Sequence, residues 1–217
     1  MLCPYLRSKI NQPFRHSRNV SILLPIILVV TLGISDSYAQ GLPIRPDSLS
    51  LFEFGSAKEA SWRVVNDGVM GGRSKGFVSL EDGTLKFTGT LVTRGGGFTS
   101  LRAAMPADLS TYDGLELRVR GNGRTFEVEV SDGARLRGRS VSRRAAFKTT
   151  DEWNVVRVPF GSLRSTVFGQ SVNVNSIDLS KVDSFGLYIA DGVDGAFRLE
   201  VDNIRAYRLK DKSGENN

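Results

Sequence analysis

Cysteine and histidine, the side chains that most readily supply a nucleophile, a proton relay or a zinc ligand near neutral pH, each occur once, as Cys3 and His16. Both lie in an N-terminal leader, residues 1–39, that the sequence marks for removal. Downstream of Ala39 the chain has neither residue. Ser-His-Asp and Cys-His catalysis, thiolate or imidazole zinc sites, and disulfides are therefore excluded from the mature chain. Carboxylates are what remain. A pair of them can hydrolyse a glycoside, but nothing in the sequence singles out one pair. Asp191, Asp194 and Asp202 are hard oxygen donors of the kind calcium takes. Asp191-Gly192 and Asp194-Gly195 are also ordinary turn formers, which is the competing account. No catalytic residue, no metal ligand and no cofactor is assigned, and a protein that binds without catalysing is expected.

Charge and aromatic residues offer binding chemistry instead. Arg135, Arg137, Arg139, Arg143 and Arg144 form a basic cluster. Its first three members are spaced to share one solvent face of a strand. Such a patch docks an acidic protein, phospholipid headgroups or a polyanion, unless it is simply a solvated face. Trp62, Trp153, Tyr112 and Tyr188 are able to stack on a sugar or anchor a protein. Trp153, in an apolar strand, is expected in the core, and Tyr112, beside Asp113-Gly114, on the surface.

The richest local motif is Trp62 to Gly76, WRVVNDGVMGGRSKG. It has the glycines of a phosphate cradle and a following Lys75, but not the P-loop spacing. The residues after it read as a hairpin, not as a helix whose N-terminus would meet phosphate. The glycines supply tight backbone positions, with Trp62, Val64 and Met70 closing the edge of a sandwich. The same stretch is the expected partner-binding surface: Asn66, Asp67, Gly68, Met70, Gly71, Gly72 and Ser74, together with Gly96, Gly97 and Phe98. Substituting Asp67 and Met70 is expected to abolish partner capture and leave thermal stability largely unchanged.

The elements that would position these residues are strands. Leu51–Phe54, Trp62–Val65, Phe77–Leu80, Thr84–Thr88, Phe98–Ala103, Trp153–Phe160 and Phe185–Ile189 read as short strands between turn signals. Glu81-Asp82-Gly83 marks a hairpin. Leu115, Leu117 and Val119 alternate with Glu116, Arg118 and Arg120, and Phe126, Val128 and Val130 with Glu127, Glu129 and Ser131. One face of each strand is thus buried and the other wet. Phe197, Leu199, Val201 and Ile204 close the domain. About ten such strands without a helical period predict an all-β fold, an antiparallel β-sandwich of jelly-roll type. The division expected is a leader over 1–39, a lead-in over 40–49, the sandwich over 50–209 and a polar tail over 210–217.

Residues 1–19 carry Arg7, Lys9, Arg15 and Arg18 and no acidic residue, and an apolar run extends from Val20 to Ile34. Ser37-Tyr38-Ala39 then presents small residues at the two positions a signal peptidase reads. The run is shorter than the ~20 residues that cross a bilayer comfortably. A mitochondrial presequence is likewise rich in arginine and poor in acid, but an unbroken apolar run is not an amphipathic helix. An exported protein, periplasmic or secreted and cleaved after Ala39, is expected. An uncleaved leader is the route by which it would associate with a membrane. The leader holds four basic residues and one acidic one, so its removal lowers the formal net charge from +6 to +3. That modest charge, with export, argues against nucleic acid as a partner.

The string NDGVMGGRSKG, Asn66 to Gly76, resembles the hallmark of the complex I intermediate-associated protein 30 family. Phe87-Thr88-Gly89, Gly96-Gly97-Phe98 and Asp113-Gly114-Leu115 leading into LRVRGNGR come next, in the family's order. So do Trp153 with Val158-Pro159-Phe160, and then SFGLYIADGVDGAFRLEVDNIRAY. The resemblance runs from about Leu51 to Tyr207. It implies a galactose-binding-like jelly roll and, as in the mitochondrial members, a role in assembling respiratory complex I, with a subunit of a membrane complex as protein partner. It implies no catalytic residues. The leader departs from that pattern, because it reads as an export signal. The closing Gly-x-Phe-x-Leu-x-Val-Asp-x-Ile pattern is shared with sugar-binding sandwiches, so carbohydrate is the alternative ligand.

Overall fold

The computed structural model describes residues 47–55 and 61–209. The leader, the lead-in up to residue 46 and the polar tail from residue 210 lie outside the described residues. Fifteen strands occur in chain order among the described residues: β1 Ser48–Glu53, β2 Arg63–Asn66, β3 Lys75–Glu81, β4 Thr84–Leu91, β5 Thr99–Ala107, β6 Gly114–Gly121, β7 Thr125–Ser131, β8 Arg135–Leu136, β9 Arg139–Ser140, β10 Ser142–Lys148, β11 Asn154–Pro159, β12 Arg164–Val167, β13 Gln170–Ser171, β14 Val182–Ile189 and β15 Gly195–Tyr207. β1 begins at Ser48, inside the segment expected as a lead-in.

The strands form two antiparallel sheets and one small hairpin. The six-stranded sheet runs β11-β6-β15-β4-β3, with β1 also on β15. At 13 residues, β15 is long enough to pair β4 along its first half and β1 along its second. The seven-stranded sheet runs β13-β12-β10-β7-β14-β5-β2, and β8 pairs only with β9. The expected antiparallel sandwich is therefore the observed one. The hairpin at Glu81-Asp82-Gly83 is also present. Glu81 pairs with Thr84 across two residues of positive φ, Asp82 at 51° and Gly83 at 70°, which is the turn geometry that matches strand twist.

Alternation along the strands builds the core. Leu115, Leu117 and Val119 in β6 and Leu85 and Phe87 in β4 face Phe126, Val128 and Val130 in β7 and Phe185, Leu187 and Ile189 in β14, all buried. Aromatic rings join the layers: Phe126 lies 6.5 Å from Phe87 and 6.2 Å from Phe197, and Phe185 lies 5.6 Å from Phe52. The spacing Phe197, Leu199, Val201, Ile204 breaks its period of two at a β-bulge, because the register of β15 on β6 shifts between Val201 and Asn203.

Three expectations are corrected here. Arg135, Arg137 and Arg139 do not share a strand face: Arg135 and Arg139 lie on the two arms of the β8–β9 hairpin, and Arg137 sits in its turn at φ 50°. Arg143 and Arg144 belong to β10 and are buried, pointing to opposite faces of the sheet. Trp153 is half-buried outside the core, with the Arg118 and Arg120 guanidinium groups 4.7 and 5.0 Å from its ring, whereas Tyr112 packs against the core. Charge at 118 and 120 holds the tryptophan to the outer face of β6, a contact no local pattern reveals.

Candidate functional site

The Asn66–Gly76 loop is organised around one carboxylate. Asp67 opens a single 3-10 turn, Asp67–Met70, and has no exposed surface. Its Oδ1 accepts from the Ser74 amide at 3.0 Å, and its Oδ2 accepts from the Ser74 hydroxyl at 2.7 Å and from the Gly97 and Phe98 amides at 2.7 and 3.3 Å. Burial pushes the Asp67 carboxyl up, but these donors outweigh it and hold the group below the ordinary aspartate value. Glycines let the chain close on it. A Cβ at Gly72 would stand 2.1 Å from the Asp67 carboxyl carbon, and one at Gly96 would stand 2.4 Å from Oδ2. Asn66 works the same way nearby, its Oδ1 accepting from the Gly76 amide at 3.0 Å and the Thr99 hydroxyl at 2.6 Å.

The loop thereby locks to the 93–98 turn, and together they form one wall of a pocket. The floor is the outer face of the seven-stranded sheet: Val65 of β2, Arg102 of β5, Tyr188 of β14, and Ser142 and Arg144 of β10. Each of these alternates with a residue directed away from that face, which is why the floor is polar while the core beneath is not. Met70, Gly96, Gly97 and Phe98 line one side, and Gly138–Ser140 with Phe168–Gly169 line the other. The pocket is open to solvent and has a volume of about 830 Å³. Met70 and Phe168 are unusually exposed for apolar side chains, at 61% and 69%.

The polar floor is charge-paired. Arg144 Nε donates to Glu129 Oε2 at 2.7 Å, and its guanidinium lies 3.7 Å from the Tyr188 ring centre. Burial works against the Arg144 cation, but the neighbouring Glu129 carboxylate prevails and raises its pKa. Burial also raises the Tyr188 phenol. Phe98 stacks on Tyr188 at 5.2 Å, and Arg139 lies over Phe168 at 4.8 Å.

The residues predicted as a binding surface thus divide in two. Met70, Gly96, Gly97 and Phe98 meet at the pocket. Asp67 and Ser74 are buried and cannot touch a partner, so with Asn66 and Gly72 they hold the loop in place. Gly68 and Gly71 are exposed beside them. Sequence reasoning missed Arg102 and Phe168. Phe168 sits at φ 49° before Gly169 in the β12–β13 turn, and an aromatic-glycine step between two polar runs was the available signal. The carboxylates considered for calcium go elsewhere: Asp191 pairs with Arg124 at 2.6 Å, Asp194 accepts from the Thr93 amide, and Asp202 lies 3.1 Å from Arg118. Among the described residues no group of three or more His, Cys, Asp or Glu side chains is placed to hold a metal ion.

Known proteins share this outline. The family model described as Complex I intermediate-associated protein 30 matches residues 52–201. "Complex I intermediate-associated protein 30, mitochondrial" of Mus musculus is 28% identical over 169 residues, 67% of this chain and 52% of its own length. "Probable complex I intermediate-associated protein 30, mitochondrial" of Caenorhabditis elegans is 29% identical over 100 residues, 44% of this chain and 29% of its own. The chain therefore spans about half the length, or less, of these curated relatives. Among solved structures, a family 11 carbohydrate-binding module from Clostridium thermocellum, in complex with a β-1,3-1,4-mixed-linked tetrasaccharide, superposes with a TM-score of 0.56 at 16% identity. The match covers 75% of this chain and 96% of that one. An agarase superposes with a TM-score of 0.53 at 16% identity over 76% of this chain and 25% of its own. These likenesses establish the jelly-roll fold. The relatives' names overturn the expectation of a periplasmic or secreted protein, because they are mitochondrial. An arginine-rich, acid-free N-terminus is common to export signals and mitochondrial presequences, so the apolar run from Val20 to Ile34 alone does not separate the two destinations.

Proposed function

The chain belongs to the complex I intermediate-associated protein 30 family, and on that premise we propose that it is a non-catalytic module that holds a protein partner, an intermediate of a membrane complex, against the pocket between Met70 and Phe168. One observation carries the reading: a carboxylate buried for structural reasons fixes a loop whose only large outward apolar group among the described side chains, Met70, stands over an open pocket opposite exposed Phe168. Exposed apolar anchors around a preformed concavity are what a protein partner buries. Among the described lining residues, none pairs a nucleophile with an adjacent base.

Carbohydrate is the competing ligand, and the fold alone favours it. Tyr188, the best-placed sugar platform, has Phe98 stacked on it and Arg144 over its ring, and is only 6% exposed. A sugar ring finds no free face there.

The test is affinity capture of the tagged full-length chain from its native membranes. Met70→Asp is the disrupting variant, and Val155→Asp, on exposed β11 of the other sheet, is the control. Complex I subunits recovered with the wild type and with Val155→Asp, and reduced roughly tenfold or more by Met70→Asp, support the reading. Equal recovery with all three proteins, or saturable binding to a β-glucan without any membrane-complex subunit, contradicts it.

A further inference from the structure

We propose that the outer face of the seven-stranded sheet recognises an extended, carboxylate-rich segment of the partner protein, laid along a row of arginines that crosses the sheet. This rests on the partner-holding reading above and specifies the chemistry of what is held.

The row arises from strand register. Arg63 in β2 stands opposite Arg102 in β5, and Arg102 opposite Gly186 in β14. Gly186 stands opposite Glu129 in β7, Glu129 opposite Arg144 in β10, and Arg144 opposite Arg164 in β12. Residues in register across a sheet project from the same face. Six strands at neighbour spacings of ~4.8 Å put Arg63 and Arg164 about 24 Å apart.

Positive charge on this face exceeds what the face itself neutralises. Glu129 is shared, 2.7 Å from Arg144 and 3.5 Å from Arg102. Glu127, one row over, is shared between Arg144 at 3.8 Å and Arg164 at 3.7 Å. With Arg139 on the pocket wall, five guanidinium groups meet two carboxylates, leaving a net +3. The surplus lies at the ends of the row. Arg63 is exposed and has no acidic partner among the described residues, and the Arg164 side chain is 69% exposed. At the centre Gly186 adds no side chain, and the Arg102–Glu129 ion pair at 3.5 Å reaches across it.

The linear arrangement selects the ligand. A single phosphate or headgroup is best held by cations gathered around one point, whereas these are strung along a line. An extended chain rising ~3.3 Å per residue covers the row with about seven residues. Met70 and Phe168 beside the row give apolar side chains of such a segment somewhere to lie.

The experiment is fluorescence anisotropy with the full-length chain. The probes are a labelled peptide of about eight residues alternating glutamate with leucine and its glutamine-leucine counterpart. Phosphatidylserine vesicles and single-stranded oligothymidylate serve as the other polyanions. The glutamate peptide is expected to bind, more weakly as salt rises, and the glutamine peptide roughly tenfold less tightly. The double variant Arg63→Glu, Arg164→Glu, altered only at exposed positions, is expected to lose roughly tenfold for the glutamate peptide with an unchanged thermal midpoint. Absence of binding by the glutamate peptide overturns the proposal. So does equal binding of the two peptides, an unaffected double variant, or binding of vesicles or oligonucleotide through these arginines in place of the peptide. Capture of complex I subunits that still depends on Met70 would then leave the partner-holding reading standing without the arginine row. Capture indifferent to Met70→Asp removes that reading itself.

Discussion

Four donors converge on the Asp67 carboxylate in a space closed by Gly72 and Gly96, so substitutions there act through the fold of the loop. Asp67→Ala strands those donors in a buried site and is expected to cost roughly 3 kcal/mol in chemical denaturation. Gly96→Ala drives a methyl onto Oδ2 and is expected to cost about 1–3 kcal/mol. The carboxyl's folded pKa is lowered, so its contribution is complete above the unfolded aspartate value of about 3.9. That contribution is lost as pH falls through the lower folded value, and Asp67→Asn flattens this acid limb in thermal melts recorded from pH 5 downward. The sequence marked Asp67 and Met70 together, and expected both to spare stability. Spacing identifies a dense polar-glycine loop, but it does not tell a buried carboxylate from an exposed one. Only the thirty-residue reach to the Gly97 amide makes that distinction.

At the level of elements, the strands legible in the sequence are those with one apolar and one polar face, such as β6 and β7. β10 and β12 escaped notice because polar residues occupy both faces. In β10, Arg144 lies on the outer face, while Arg143 turns the other way to Ser165, the Asn175 carbonyl at 2.8 Å and Asp132 at 3.3 Å. Asp132 is nearly enclosed, and burial raises its carboxyl less than the Asp178 and Ala134 amides and Arg143 lower it. Arg143→Ala leaves that charge without its cation and is expected to destabilise by about 3–5 kcal/mol. Arg143→Met with Asp132→Asn should be less destabilised than the sum of the single changes, which a double-mutant cycle measures. Phe87→Ala in β4, which opens the ring cluster with Phe126 and Phe197, should cost a similar amount, about 3–5 kcal/mol, without the coupling to Asp132.

For the whole molecule, the sandwich was readable because it is built from local signals: alternation, a two-residue turn, and one break of period that marks a bulge. The pocket was not, because its floor draws on strands distant in the chain and its second wall on a polar hairpin and turn. The two outer faces differ accordingly. The six-stranded sheet carries ladders such as Arg120 with Glu200 and Arg157 with Glu116 beside exposed Phe77 and Val155, whereas the seven-stranded sheet carries surplus arginine beside exposed Met70 and Phe168. The proposed placing of partner holding on the seven-stranded face can be tested without disturbing either sheet. A photo-reactive amino acid placed at position 70, at 168, or at 155 of the opposite face, in the full-length chain within its native membranes, reports what each face touches. Crosslinks to complex I subunits from positions 70 and 168, and none from 155, are the predicted result. The same subunits from 155 alone, or none from any of the three, would contradict the assignment.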